Sequence, residues 1–252
     1  MIRKIGLLGI SVFISICTFS QTGRKQDLAL WPWIQIEKKI GRHQYVEFQY
    51  QVRFNNHISQ YNRSNYYFMY GIDFLKHFQA EGLYQLNSNP KADEHTFFAG
   101  LTYKQNISQH VSLLYRSSFQ TTRNDFTGDK HVDKPYSEWR NRLRSIYKFN
   151  NIYSVSLSAE PYLKITDKHP VYLSRIRFVS QFSYRFNKYQ TFSAFYLLEP
   201  DIVYYSTPST DHVIGLAYHF TLPDKMKSFK KIFKPKSIDN ADDNEMLKDT
   251  FN

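Results

Sequence analysis

The 252-residue sequence contains a single cysteine, Cys17. A disulfide framework is excluded, and so are the cysteine spacings that build zinc sites. Glycine and proline are both scarce, nine residues each, and no glycine-rich phosphate loop occurs. Long hydrophobic runs are also missing. After residue 16 no stretch approaches the roughly 20 apolar residues that a membrane-crossing helix requires. With a mean hydropathy of -0.54, a bundle of such helices is excluded.

What is abundant is aromatic side chains, 21 Phe and 20 Tyr, and positive charge, 33 Lys and Arg against 22 Asp and Glu. The N-terminus has its own character. Arg3 and Lys4 precede the apolar run 5–16 (IGLLGISVFISI), and Thr18-Phe19-Ser20 follows as a small-x-small site. That order predicts a secretory signal peptide over 1–20 rather than a membrane anchor, because the run is short. Ile16 before Cys17 fits lipid attachment poorly, so Cys17 belongs to the segment expected to be removed. Basic charge in an exported chain points to membrane surfaces, anionic saccharides or anionic solutes, and no nucleic-acid partner is expected.

Strand-period alternation fills the rest. In residues 45–54, YVEFQYQVRF, Val46, Phe48, Tyr50, Val52 and Phe54 share one face. Glu47, Gln49, Gln51 and Arg53 share the other, because side chains alternate across a strand. The same pattern predicts strands near 28–39, 43–56, 66–74, 78–87, 96–105, 110–122, 137–149, 152–165, 171–186, 189–200 and 211–222. Short turns are expected near 41–42, 75–77, 106–108, 150–151 and 187–188. Longer links are expected near 57–65, 88–95, 123–136 and 201–210, with an intermediate one at 166–170. Short turns at one end and long loops at the other mark an outer-membrane barrel, turns in the periplasm and loops outside.

The expected fold is therefore all-β: an antiparallel transmembrane β-barrel of 10–12 strands. Strand parity gives ten strands from 43 to 222, and 28–39 is then an extra segment entered from the wrong side. It pairs with a missed twelfth strand or lies partly inside. The expected organisation is a signal peptide (1–20), an N-terminal segment with the first strand (21–42), the barrel (43–222) and a charged periplasmic tail (223–252). In the tail, KMKSFKKIFKPK (225–236) reads either as an amphipathic helix on the inner leaflet or as a disordered charged segment.

A soluble barrel alternates too, but turns its apolar face inward. Three features favour the membrane form. A small interior cannot pack so many aromatics. Tyr66, Phe74, Trp139, Phe149, Tyr172 and Phe186 recur near strand ends, as interfacial girdles require. The polar faces mix Arg with Glu, Gln and Ser, which can pair across a lumen. Phe220, two residues after Tyr218, resembles the aromatic strand ending that outer-membrane assembly reads.

The opening LALWPWIQIEKKI, the strand ending QYQVRF, and later EWRNRLRSIYKF and SLSAEPYLKI carry a likeness in their order. The chain resembles the domain of unknown function 2490 family, predicted outer-membrane barrels of Gram-negative bacteria, over roughly residues 28–222. The resemblance implies the fold and the outer membrane. It implies no activity, and the tail after 222 departs from the pattern.

The charged constellation is the inward face: Glu47, Arg53, Asp73, Glu81, Lys104, Arg116, Glu138, Arg140, Arg142, Arg144, Lys148, Glu160, Lys164, Arg175, Arg177, Arg185 and Glu199. Buried charges in a narrow barrel must be paired, so the expected function is a narrow, charge-braced structural or interaction barrel. The alternative is a small anion-favouring pore. A lipid-modifying enzyme is a third reading, through Ser206, Ser209, Asp211 and His212 in STPSTDH, although serine and aspartate are ordinary turn residues. Asp93-Glu94-His95 is a weak cation motif. No catalytic residue, metal or cofactor is assigned. Membrane lipid is the expected partner, and loop 123–136 is a candidate surface for a partner of unknown identity.

Overall fold

Strand follows strand along the chain, and the sheet they form closes on itself. The computed structural model describes residues 25–89, 93–124, 135–165, 171–202 and 209–223. The expected signal peptide, most of loop 123–136 and nearly all of the tail lie outside these residues. Eleven strands are present among them: β1 (Lys25–Ile40), β2 (Gln44–Asn55), β3 (Gln60–Leu75), β4 (Phe78–Ser88), β5 (Asp93–Asn106), β6 (Val111–Asn124), β7 (Tyr136–Lys148), β8 (Tyr153–Ile165), β9 (Tyr172–Asn187), β10 (Gln190–Pro200) and β11 (Ser209–Leu222).

Each strand pairs antiparallel with its sequence neighbour, and β1 closes the barrel against β11. That last pair is parallel, with Lys25–Lys38 in register with Ser209–Leu222. This corrects the wholly antiparallel expectation and resolves the difficulty with 28–39. An odd strand entered from the loop end has to run in the same direction as the last strand, and a parallel ladder lets it close the wall. No twelfth strand is needed, and the segment does not lie inside the barrel.

The link expected at 57–65 is also corrected. β2 reverses into β3 through Asn56–Ser59, with Asn56, His57 and Ile58 all at positive φ (51°, 55° and 68°). The polar run QYNRSN reads as loop from composition but forms the loop end of β3. The Asp27 carboxylate of β1 holds this turn by accepting from the backbone N–H groups of Asn56 and His57, both at 3.0 Å. The 88–95 link is likewise shorter, since β4 ends at Ser88 and β5 begins at Asp93.

Burial sorts the two faces. On β2, Glu47, Gln49 and Gln51 are buried while Val46 and Phe48 are exposed. On β7, Glu138, Arg140, Arg142, Arg144 and Lys148 are buried while Trp139, Leu143 and Tyr147 are exposed. Buried polar and charged residues outnumber buried apolar ones, and the exterior carries Ile34, Phe68, Leu101, Leu143, Leu157 and Ile214. The usual inside-out order of a soluble protein is inverted.

Two close approaches depend on glycine. Tyr45 faces its registered partner Gly71 across β2 and β3, and Phe195 faces Gly215 across β10 and β11. A Cβ at either glycine would overlap the partner's ring. An aromatic ring laid over a strand glycine covers backbone that has no side chain of its own.

Candidate functional site: a braced lumen

The inward faces of β4 to β10 meet in one network. Arg116 on β6 donates through Nη2 to Glu160 Oε1 on β8 at 2.9 Å and through Nη1 to Glu81 Oε1 on β4 at 3.2 Å. Both bonds pass over an intervening strand. Arg140 on β7 also reaches Glu160 Oε1, through Nε at 3.1 Å, and gives Nη1 to Gln120 Oε1 at 2.8 Å. Glu160 is thus clasped by two guanidiniums.

A second group sits nearer the loop end. Arg175 on β9 holds Glu138 on β7 in a two-pronged bond, 2.9 and 3.0 Å, again across one strand. Gln120 Nε2 donates to the same carboxylate at 2.7 Å. Arg177 Nε donates to Glu199 Oε2 at 2.6 Å, and Arg175 Nε lies 3.4 Å from the other Glu199 oxygen. The paired fork geometry gives such bonds direction as well as strength.

Tyr162 joins the two groups. It is 1 % exposed, and three guanidinium carbons stand over its ring: Arg175 at 4.0 Å, Arg140 at 4.6 Å and Arg177 at 5.1 Å. Arg116 and Arg140 also approach Phe98, at 5.1 and 5.7 Å. A desolvated cation over an aromatic face gains about 2 kcal/mol, so the rings act as structural partners of the arginines.

The other charged candidates occupy the same face. Arg142, Arg144, Lys148, Arg185 and Glu47 are buried. Arg144 Nη2 donates to Ser156 and to Gln181 at 2.9 and 3.0 Å. Asp73, Lys104 and Lys164 are partly exposed near the strand ends, and the Lys164 ammonium stands 4.7 Å from the centre of the Tyr136 ring. Arg53 stacks on Trp31 at 3.9 Å.

The enzymatic arrangement does not form among the described residues. Ser209 gives its hydroxyl to Asp201 Oδ2 at 2.7 Å, and His212 Nδ1 pairs with the Tyr196 hydroxyl at 2.6 Å. Ser209 and His212 are three apart on one strand, so they point to opposite faces. Ser206 lies outside the described residues. Asp93-Glu94-His95 does not converge either. Glu94 pairs with Arg63 at 3.3 Å, His95 pairs with Tyr84 at 2.8 Å, and the described residues hold no cluster of metal-ligating side chains.

Tyr162, Phe98, Tyr67, Trp31 and Trp33 were missing from the expected inward set. Their signal is parity: Tyr162 shares a face with Ser158 and Glu160, and Trp33 shares one with Gln35 and Glu37. Residues 28–200, which carry the network up to Glu199, match a protein family described as "Protein of unknown function (DUF2490)". The chain belongs to this family. The match begins in β1 and runs to the end of β10, so the barrel wall up to β10 is the family's shared part. No curated protein matches the chain.

Proposed function

We propose that this family member is an outer-membrane β-barrel of a Gram-negative bacterium, with a lumen held shut by its own side chains. On this reading it is a structural or interaction barrel rather than an open pore. One observation carries the proposal: the apolar residues of the strands face out, while arginine, glutamate and glutamine are buried inside. In water an exterior of Ile, Leu and Phe on every side drives association. In lipid the same exterior is at rest, and a closed ladder leaves no backbone edge unsatisfied.

Several details support it. Phe74, Phe78, Tyr103, Tyr147, Phe149, Tyr153 and Phe186 are exposed near the turn end, where an interfacial girdle belongs. The leader-like N-terminus and the basic charge agree with export. An odd strand number departs from the even count usual in bacterial barrels, and the parallel seam is how this chain accommodates it. Membrane lipid is the partner on this reading.

Fractionation of cells on a sucrose gradient is expected to place the full-length chain with outer-membrane markers. In planar bilayers the purified protein is expected to give little or no conductance. A chain that stays soluble and monomeric without detergent would overturn the membrane reading. Large anion-selective steps, reduced by Arg142→Ala, would replace the braced barrel with a pore.

A further inference from the structure

We infer that the loop end of the lumen holds a binding site for a compact monoanion of about the size of a water molecule, a chloride or bromide ion, between the guanidiniums of Arg53 and Arg177 and beside the indoles of Trp31 and Trp33. The site is a void lined by Trp31, Trp33, Gln49, Gln51, Arg53 and Arg177, with Phe195 and Leu197. Its room, about 10 Å³ for the centre of a water molecule, suits about one water or an ion of similar size.

The two cations differ in how they are satisfied. Arg177 is bound to Glu199 at 2.6 Å. Arg53 has only neutral partners: Gln51 Oε1 at 2.8 Å, the Tyr67 hydroxyl at 3.3 Å, the Trp31 ring, and Asn65 turned so that its oxygen meets the guanidinium. Glu199 is near enough to feel the Arg53 charge, but its two oxygens are taken by Arg175 and Arg177. No carboxylate among the described residues forms an ion pair with Arg53. Arg53 is partly buried; a guanidinium does not deprotonate, and reducing its contact with water without a counter-charge carries a cost. The chemistry missing from this void is therefore one negative charge.

The backbone supports the same place. The β1–β2 register has no pair for Trp31 or Pro32, since proline cannot donate to a ladder. The β2–β3 register shifts between Arg53 and Phe54. Such irregularities re-aim a side chain, and here they lie at the residue that carries the unmatched charge. The size of the void excludes nucleotides, sugars and polyanions as occupants. A site of this size at one end is compatible with a closed lumen, and its test in detergent does not depend on which membrane holds the barrel.

Tryptophan emission reads the site directly. The chain has three tryptophans, and Trp139 faces outward, so Trp139→Phe leaves Trp31 and Trp33 as reporters. The full-length Trp139→Phe protein in detergent is titrated with sodium bromide at constant ionic strength against gluconate. Saturable quenching is expected, displaced by chloride. Arg53→Gln should weaken it by roughly tenfold or more, the weight of one charge-assisted hydrogen bond. Lys188→Gln, exposed in the turn at the other end of the barrel, should leave it unchanged. Strictly linear quenching in the Trp139→Phe protein, or saturation that chloride does not displace, overturns the site whatever the Arg53 variant does. Full saturation retained in a folded Arg53→Gln protein overturns it as well.

Discussion

Arg116 on β6 and Glu160 on β8 meet at 2.9 Å over the top of β7. The pair fixes the distance between two strands that share no ladder. Arg116–Glu81 and Arg175–Glu138 do the same over β5 and β8. Side-chain bonds that skip a strand resist flattening of the wall, which ladder bonds between neighbours do not.

Removing one partner is therefore expected to cost more than the bond itself. Glu160→Ala leaves Arg116 and Arg140 facing each other without their shared carboxylate, and a loss of about 3–5 kcal/mol is expected. Urea unfolding in detergent would measure it. Arg116→Ala in the same protein should couple strongly with Glu160→Ala, because the two share one network. Additive losses would mean that the brace carries little.

The outward face of β2 has its own test. Phe48→Lys puts a charge on the exposed apolar wall and is expected to cost roughly 2–4 kcal/mol if the position lies near mid-bilayer. Folding into lipid vesicles, followed by heat-modifiable gel mobility, reports it. Wild-type folding yield for Phe48→Lys would place that face in water.

Gly215 admits the Phe195 ring, which also packs on Trp33 at 4.7 Å between centroids. Gly215→Val is expected to destabilise by about 1–3 kcal/mol through overpacking. Phe195→Ala alone should cost about 3–5 kcal/mol by leaving a cavity. Combined, the two should cost less than their sum, since the valine enters the space vacated by the ring. A thermal-unfolding cycle on the four proteins checks the sign.

Ile58 is a β-branched residue at φ 68°, a conformation that costs an ordinary side chain about 1–2 kcal/mol. Ile58→Asn is expected to stabilise the β2–β3 turn by about 1 kcal/mol, because asparagine tolerates this region. Asp27→Ala should act in the opposite direction, through the lost bonds to Asn56 and His57. Opposite shifts of the unfolding midpoint are the expected result.

The inward and outward faces were legible from alternation, as in YVEFQYQVRF, because a two-residue period survives whatever the neighbours do. Turn positions such as 150–151 and 187–188 were legible from asparagine and lysine pairs. The 56–59 turn was not, since the polar residues 60–65 at the end of a strand look like loop. Glu160 was recognisable as an inward charge, but not as the acceptor of Arg116 two strands away. Tyr162 was hidden by chemistry: only charged residues were singled out on the inward face, while its parity put this aromatic beneath three arginines.

By itself the sequence determined the all-β class, the strand set and the identity of each face, because these depend on local period and on solvation. The tertiary structure alone decided the parallel β1–β11 closure, the strand-skipping pairs and the void at Arg53. These depend on curvature and on register across distant strands. A closed sheet brings residues 35 or more positions apart into contact, and no local pattern encodes which of several inward charges will be within reach.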